Sequence, residues 1–251
     1  MSTAKKTVLK DPSNAQPPKP LTAKKFIEVL ISKKSKGEAE KIQRYVKGDG
    51  KTKNKFIGVR MKTLFDTAKT YIQLPVKEIK KLLSSPYYEA RMGAVSIMDF
   101  QARNKKFTEE YKKVLFDLYL EKHRYINNWD MVDRSAPHVV GGYLADKSRG
   151  ILYRLARSKN VHERRTAIVS TYYFIRKGEI SDTFKLAEIL VHDPEESIHK
   201  AVGSWIREAG KKDKLQLTNF LDVHAGTMPR VMLRYAIEKL DKKEKEQYMK
   251  K

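Results

Sequence analysis

From Leu21 onward, apolar residues recur at intervals of three and four, the spacing of helices with one buried face. Phe26, Val29 and Leu30 form one such face. Ile42, Tyr45 and Val46 form a second, closed by Gly48-Asp49-Gly50 and followed by a basic, flexible loop over 51–55. The same period predicts helices over about 59–72, 76–83, 87–102, 108–125, 129–145 and 150–158, with further helices starting near Val161, Ser181, Glu195, Asp213 and Pro229. No stretch alternates convincingly with period two, so the expected fold class is all-α. The segment 1–20 carries lysines and a Pro-Pro-Lys-Pro run but no apolar stretch of signal-peptide length; it is expected to be a flexible basic tail before a single domain over 21–251.

The helices pair with a period. Aligning Ala94, Val132, Ala167 and Ala201 gives separations of 38, 35 and 34 residues, the spacing of helical-hairpin repeats. A solenoid with a concave groove is the expected architecture, with small residues such as Gly93, Ala94, Ala167 and Ala201 allowing close helix approach. Basic residues precede the alignment points: Arg91, Arg164, Arg165 and Lys200, with Arg230 and Arg234 in the last unit. On one face they would form a cationic strip suited to a phosphate backbone; otherwise they are solvated helix termini.

Charge favours the strip. Lys and Arg number 53 against 30 Asp and Glu, a net charge of +23, and such a surplus is most easily explained by a polyanionic partner, nucleic acid being the commonest and an acidic membrane surface the other possibility. No run approaches the roughly 18 apolar residues that a membrane span needs, so a soluble protein is expected. Cysteine is absent, which removes thiolate metal sites and cysteine nucleophiles and fits a reducing, cytoplasmic compartment. There is no Gly-rich phosphate loop, HExxH or GxSxG, and no spacing of the six histidines suggests a metal; neither metal nor cofactor is expected.

The unusual segment is Asn127-Asn128-Trp129-Asp130-Met131-Val132-Asp133. On a helix Trp129 and Asp133 share one side, and an aromatic face beside a carboxylate suits a planar cation. The structural alternative is a core tryptophan, with Asp130 a first-turn residue paired to Arg134. Spacing alone favours that alternative.

Here the chain resembles the AlkD-type alkylpurine DNA glycosylases, the HEAT-like-repeat family of DNA alkylation repair. The similarity includes WDMVD, RYVK (44–47), FIGVR (56–60), the Arg-Thr-Ala-Ile after Arg164 and KAVGSWIREAGKKD (200–213), in the family's order over about 42–240. It implies a monofunctional enzyme, acting as a monomer without cofactor, that hydrolyses the N-glycosidic bond of N3-methyladenine and N7-methylguanine in duplex DNA. It further implies that Trp129 and Asp133 match the family's first tryptophan and catalytic aspartate, that Arg165 matches an arginine on the groove wall, and that Tyr45 lies near the bound backbone. Arg60 of FIGVR joins Arg91, Arg164, Lys200 and Arg230 among the expected DNA contacts. A purine alkylated at N3 or N7 is already cationic, so it leaves without protonation; a carboxylate that stabilises the sugar cation and places a water suffices. Recognition without deep extrusion of the base is implied.

One block departs from the family pattern. Ser204 stands where a second aromatic of the lesion site is expected, and tryptophan follows one residue later as Trp205, about 100° around the helix. Trp205 shares a face with Val202, Ile206 and Ala209, which points it to the core and Ser204 to the groove. Two other readings stay open: a non-catalytic module for damaged or branched DNA, and a scaffold for acidic proteins. Release of a free base separates the enzyme from both.

Overall fold

In the computed structural model, residues 21–46 and 54–251 are described. The proposed tail, the Gly48-Asp49-Gly50 stop and most of the basic loop lie outside them. Among the described residues no strand forms, and Lys55 and Tyr87 make an isolated bridge. The helices are α1 (Ala23–Ser32), α2 (Glu38–Tyr45), α3 (Met61–Thr70), α4 (Val76–Leu83), α5 (Tyr88–Arg103), α6 (Glu109–Glu121), α7 (Trp129–Ala136), α8 (Gly150–Leu155) and α9 (Val161–Ser170), continued by α10 (Tyr172–Arg176), α11 (Ser181–Leu190), α12 (Glu196–Gly210), α13 (Lys214–His224), α14 (Arg230–Ala236) and α15 (Lys242–Lys250).

They build an all-α helical-repeat solenoid. The helices α3, α5, α7, α9, α12 and α14 pack consecutively in one layer, while α4 and α6 flank α5, α8 and α11 flank α9, and α11 and α13 flank α12. The alignment points Ala94, Val132, Ala167 and Ala201 fall on α5, α7, α9 and α12, and all four are buried. The sequence period is therefore the step from one inner helix to the next. Its small residues do what was expected: a Cβ on Gly93 would stand 2.4 Å from the Phe26 ring, and one on Gly203 2.5 Å from the Met232 carbonyl oxygen. These contacts set the approach of α1 to α5 and of α12 to α14.

The expected helix over 129–145 ends early. Pro137 has no N–H to continue the ladder, so α7 stops at Ala136 and the chain widens into a π-helical turn, Pro137–Gly141, where the Gly142 N–H donates to the Pro137 carbonyl at 3.0 Å. The helix over 108–125 likewise gives way to a tighter turn at His123–Tyr125, which places His123 inside against Thr166. Two helices had no predicted counterpart, α10 and α15. The latter buries only Tyr248 and so has no apolar stripe, but its start carries a capping box between Asp241 and Glu244 that is written in the sequence.

Candidate functional site

The loop Phe56-Ile57-Gly58-Val59 is where the site begins. Its backbone N–H groups converge on the fully buried carboxylate of Glu89 on α5, from Ile57 at 3.1 Å, Gly58 at 2.7 Å and Val59 at 3.4 Å. Gly58 sits at φ +89°, a conformation that favours glycine, with Ala39 of α2 close against it. The Ser35 N–H donates to the Gly58 carbonyl at 2.8 Å. Glu89 thus fixes the loop, the loop fixes the start of α2, and α2 carries Ile42 and Tyr45 to the first wall of an open cleft of about 560 Å³.

The facing wall is α7. Trp129 and Asp133 lie on one side of it, as their spacing predicts, and both line the cleft beside Tyr45, with Met61 and Phe65 of α3 and Met92 of α5 beneath. Trp129 is not a core residue: 38% of it is exposed, and its ring meets that of Tyr45 edge-on at 5.3 Å. Asp133 is gripped by Arg165 of α9 through two parallel bonds, Nε to Oδ1 and Nη2 to Oδ2, each 2.8 Å. The third guanidinium nitrogen of Arg165 donates to the Ser197 carbonyl at 2.5 Å, and the guanidinium carbon lies 5.5 Å from the Trp129 ring centre. The Arg165 side chain is 9% exposed and that of Asp133 33%, so the pair is held from behind and presents its carboxylate to the cleft.

Asp130 also lines the cleft, and its partners are neutral. The Tyr88 hydroxyl donates to one oxygen; the Asn128 side-chain amide at 2.7 Å and the Met131 N–H at 2.8 Å donate to the other. Burial raises the Asp130 carboxyl above its ordinary pKa, against the pull of these bonds. The pairing of Asp130 with Arg134 is absent. Arg134 also lines the cleft, but its guanidinium pairs with Asp99 at 2.7 Å, over the rings of Phe65 and Phe100. The Tyr45 phenol is pushed up to about 12, by burial first, then by the charges of Asp130 and Asp133, with Arg165 opposing.

The other expected site residues do not assemble into one cationic strip. Arg91, 1% exposed, is enclosed within the repeat: α5 packs against α3, α4 and α7, and the guanidinium donates to the Ser85 carbonyl at 2.7 Å and to the side-chain oxygens of Asn54 and Asn127. Arg164 grips Asp193 at 2.5 Å and the carbonyls of Ser158 and Lys159, bracing the start of α9. With Arg165 on Asp133, these three arginines are braces of the inner layer rather than free phosphate contacts. Exposed cations do remain: Arg60, 3.7 Å from Glu38; Lys200, 2.5 Å from Glu196; Arg230, which donates to the Met249 carbonyl; and Arg234.

On α12, Val202, Ile206 and Ala209 are buried, while Trp205 is half-buried at the edge of the core, its ring 5.1 Å from that of Tyr172. Neither Trp205 nor Ser204 lines the cleft of Trp129 and Asp133, whose walls come from α2, α3, α5 and α7. Sequence reasoning missed Tyr88, Glu89 and the contribution of Asp130. It also missed the Asp133–Arg165 pairing, for which a signal existed: the two are 32 residues apart, close to one repeat, at neighbouring positions of adjacent inner helices.

Among the described residues no three His, Asp or Glu side chains converge as they would to hold a metal ion, and no helix is long and apolar enough to cross a membrane. Residues 26–240 match the family model described as DNA alkylation repair enzyme. Among solved structures, the chain is similar to a predicted DNA alkylation repair enzyme from Enterococcus faecalis, at 17% identity and a TM-score of 0.63, over 84% of this chain and 98% of that one; a likeness at that identity speaks for the fold. Comparison with curated proteins finds none that matches.

Proposed function

This chain belongs to the DNA alkylation repair enzyme family, whose role is in DNA repair, and from that premise we propose that it hydrolyses the N-glycosidic bond of cationic alkylated purines, N3-methyladenine and N7-methylguanine, in duplex DNA. The observation that carries this reading is the cleft itself: an aromatic ring and a carboxylate on one face of α7, with Arg165 fixing the carboxylate from behind.

The alkylated base leaves with the electron pair of the glycosidic bond and departs neutral, so the positive charge it carried passes to the deoxyribose. Asp133 faces that developing charge and can orient the water that adds to the sugar carbon and then releases a proton. A fixed carboxylate needs no reorganisation as the charge forms, and Arg165 provides the fixing. Trp129 offers its ring to the cationic lesion nucleotide, and Tyr45 stands beside it near the bound backbone. A role for Arg165 as orienter of Asp133 replaces the phosphate contact expected of it. Contacts with the DNA backbone fall instead to exposed cations such as Arg60, Lys200 and Arg230, supported by the net charge of +23.

The position of Trp205, tilted against the Tyr172 ring and away from the cleft, favours a second reading: a module that binds damaged DNA without releasing a base. Chromatography of bases freed from methylated duplex, with protein in excess, decides between them. The glycosylase reading requires release of both methylated purines well above the spontaneous rate; release no faster than the spontaneous rate leaves the binding module.

A further inference from the structure

The last turn of α12, in the block 200–213, takes no part in the cleft and opens instead on a second cavity, of about 320 Å³, where α12, α13 and α14 meet the start of α15. The two cavities share no wall. Arg207, Lys211, Lys214 and Lys239 line this one, against a single carboxylate, Asp241. The Asp241 side chain is committed to capping α15, where it accepts the Glu244 N–H at 2.9 Å. The glutamates that pair with the four cations are not among the lining side chains: Glu208 and Glu238 on Arg207, Glu208 on Lys211 at 2.7 Å, Glu244 on Lys214 at 2.5 Å and Glu238 on Lys239 at 2.9 Å. We propose that this cavity binds a phosphomonoester, the terminal phosphate of a nucleotide or of a DNA strand.

Helix ends do not set the sign of the field there, because α12 and α14 end at the cavity where α13 and α15 begin. The side chains set it. A phosphomonoester carries about two negative charges at neutral pH and several strong acceptor oxygens, so it calls for several donors at once. Lys211, Lys214 and Lys239 are exposed, and ion pairs of that kind are weak, so their amines can turn to a dianion at small cost. Arg207 adds a planar fork of donors from a more enclosed position. Leu217, Ala236 and Leu240 are buried and give the cavity an apolar floor, which suits the sugar or base attached to the phosphate. An internal phosphodiester has a single charge and fewer free oxygens, so the four cations match the end of a strand better than its middle.

Binding titrations of the full chain with two pairs of ligands test this. One pair is deoxythymidine 5′-monophosphate and uncharged deoxythymidine; the other is a short unmodified duplex with and without 5′-phosphates. The parent should prefer the nucleotide over the nucleoside by at least about tenfold if free nucleotides are the ligand, and the phosphorylated duplex by at least about threefold if strand ends are. The double variant Lys211→Gln/Lys214→Gln should abolish that preference at an unchanged melting temperature, and either single substitution carries the test if the double variant does not fold. Lys242→Gln/Lys243→Gln removes as much charge from two exposed lysines of α15 that do not line the cavity, and it should keep the preference. No preference within either pair, a preference that survives in Lys211→Gln/Lys214→Gln, or one lost equally in Lys242→Gln/Lys243→Gln overturns the assignment.

Discussion

Two ion-pair clusters meet at α7 and carry the same chemistry turned inside out. In one, Asp99, 1% exposed, gathers Arg103 and Arg134 at 2.7 Å and His138 at 3.0 Å, and the Arg134 guanidinium is capped by the rings of Phe65 and Phe100. In the other, the arginine is the sealed partner: Arg165 is 9% exposed and leaves Asp133, at 33%, with an edge open to the cleft. A buried carboxylate surrounded by cations can only hold helices together. An exposed one backed by a buried cation is oriented and still free to meet a ligand. Which partner of an ion pair is left outside thus separates a brace from a working group, and residue type alone does not tell them apart.

The largest effect should come from breaking the closed cluster. Asp99→Ala leaves two arginines and a histidine converging without a carboxylate, at a cost of about 4 kcal/mol in stability by analogy with other broken buried pairs. Denaturant unfolding measures it, and base release per folded molecule should stay near that of the parent. A loss under about 1 kcal/mol would mean that the closed cluster is no brace.

Acid should sharpen the contrast next, by acting behind the open pair. His123 is buried with Nε2 2.9 Å from the Thr166 hydroxyl, on the helix that carries Arg165, and burial depresses its pKa to about 4 from the ordinary 6.5. The folded state holds this imidazole neutral, so its stability contribution is complete above pH 6.5 and is lost as pH falls through about 4. The loss approaches about 3 kcal/mol once both states are protonated. Unfolding followed from pH 7 to 4 should fall steeply in the parent and more shallowly in His123→Gln; equal slopes would show that His123 is not the group titrating.

A smaller effect is expected at Trp205, half-buried against Tyr172 and outside the cleft. Trp205→Ala should cost about 2 kcal/mol, less than a fully buried aromatic, with lesion binding unchanged per folded molecule. A variant that melts like the parent and no longer distinguishes alkylated from intact duplex would bring α12 into the site after all.

What could be read from the sequence was the local and the periodic. The step of 34 to 38 residues located the inner helices, because small and apolar residues recur wherever one helix stacks on the next. The i,i+4 spacing placed Trp129 and Asp133 on one side of α7. The fate of charges was not legible. Arg91, Arg164 and Arg165 look like a phosphate-binding series, but each occupies the layer where helices meet, and each is consumed by a partner 29 to 37 residues away, Asn54, Asp193 and Asp133 respectively. Helix α15 was missed because solvation of nearly all its side chains leaves no pattern to detect.

The central claim is that Asp133, held by Arg165, works on the sugar cation rather than on the fold. Single-turnover release of N7-methylguanine from methylated duplex by the parent and by Asp133→Asn, each with a thermal melt, tests it most directly. The account predicts a rate about a hundredfold lower in the variant, equivalent to about 3 kcal/mol of transition-state stabilisation, at nearly unchanged melting temperature and DNA affinity. Excision by Asp133→Asn at close to the parent rate would contradict it and make the pair one more brace.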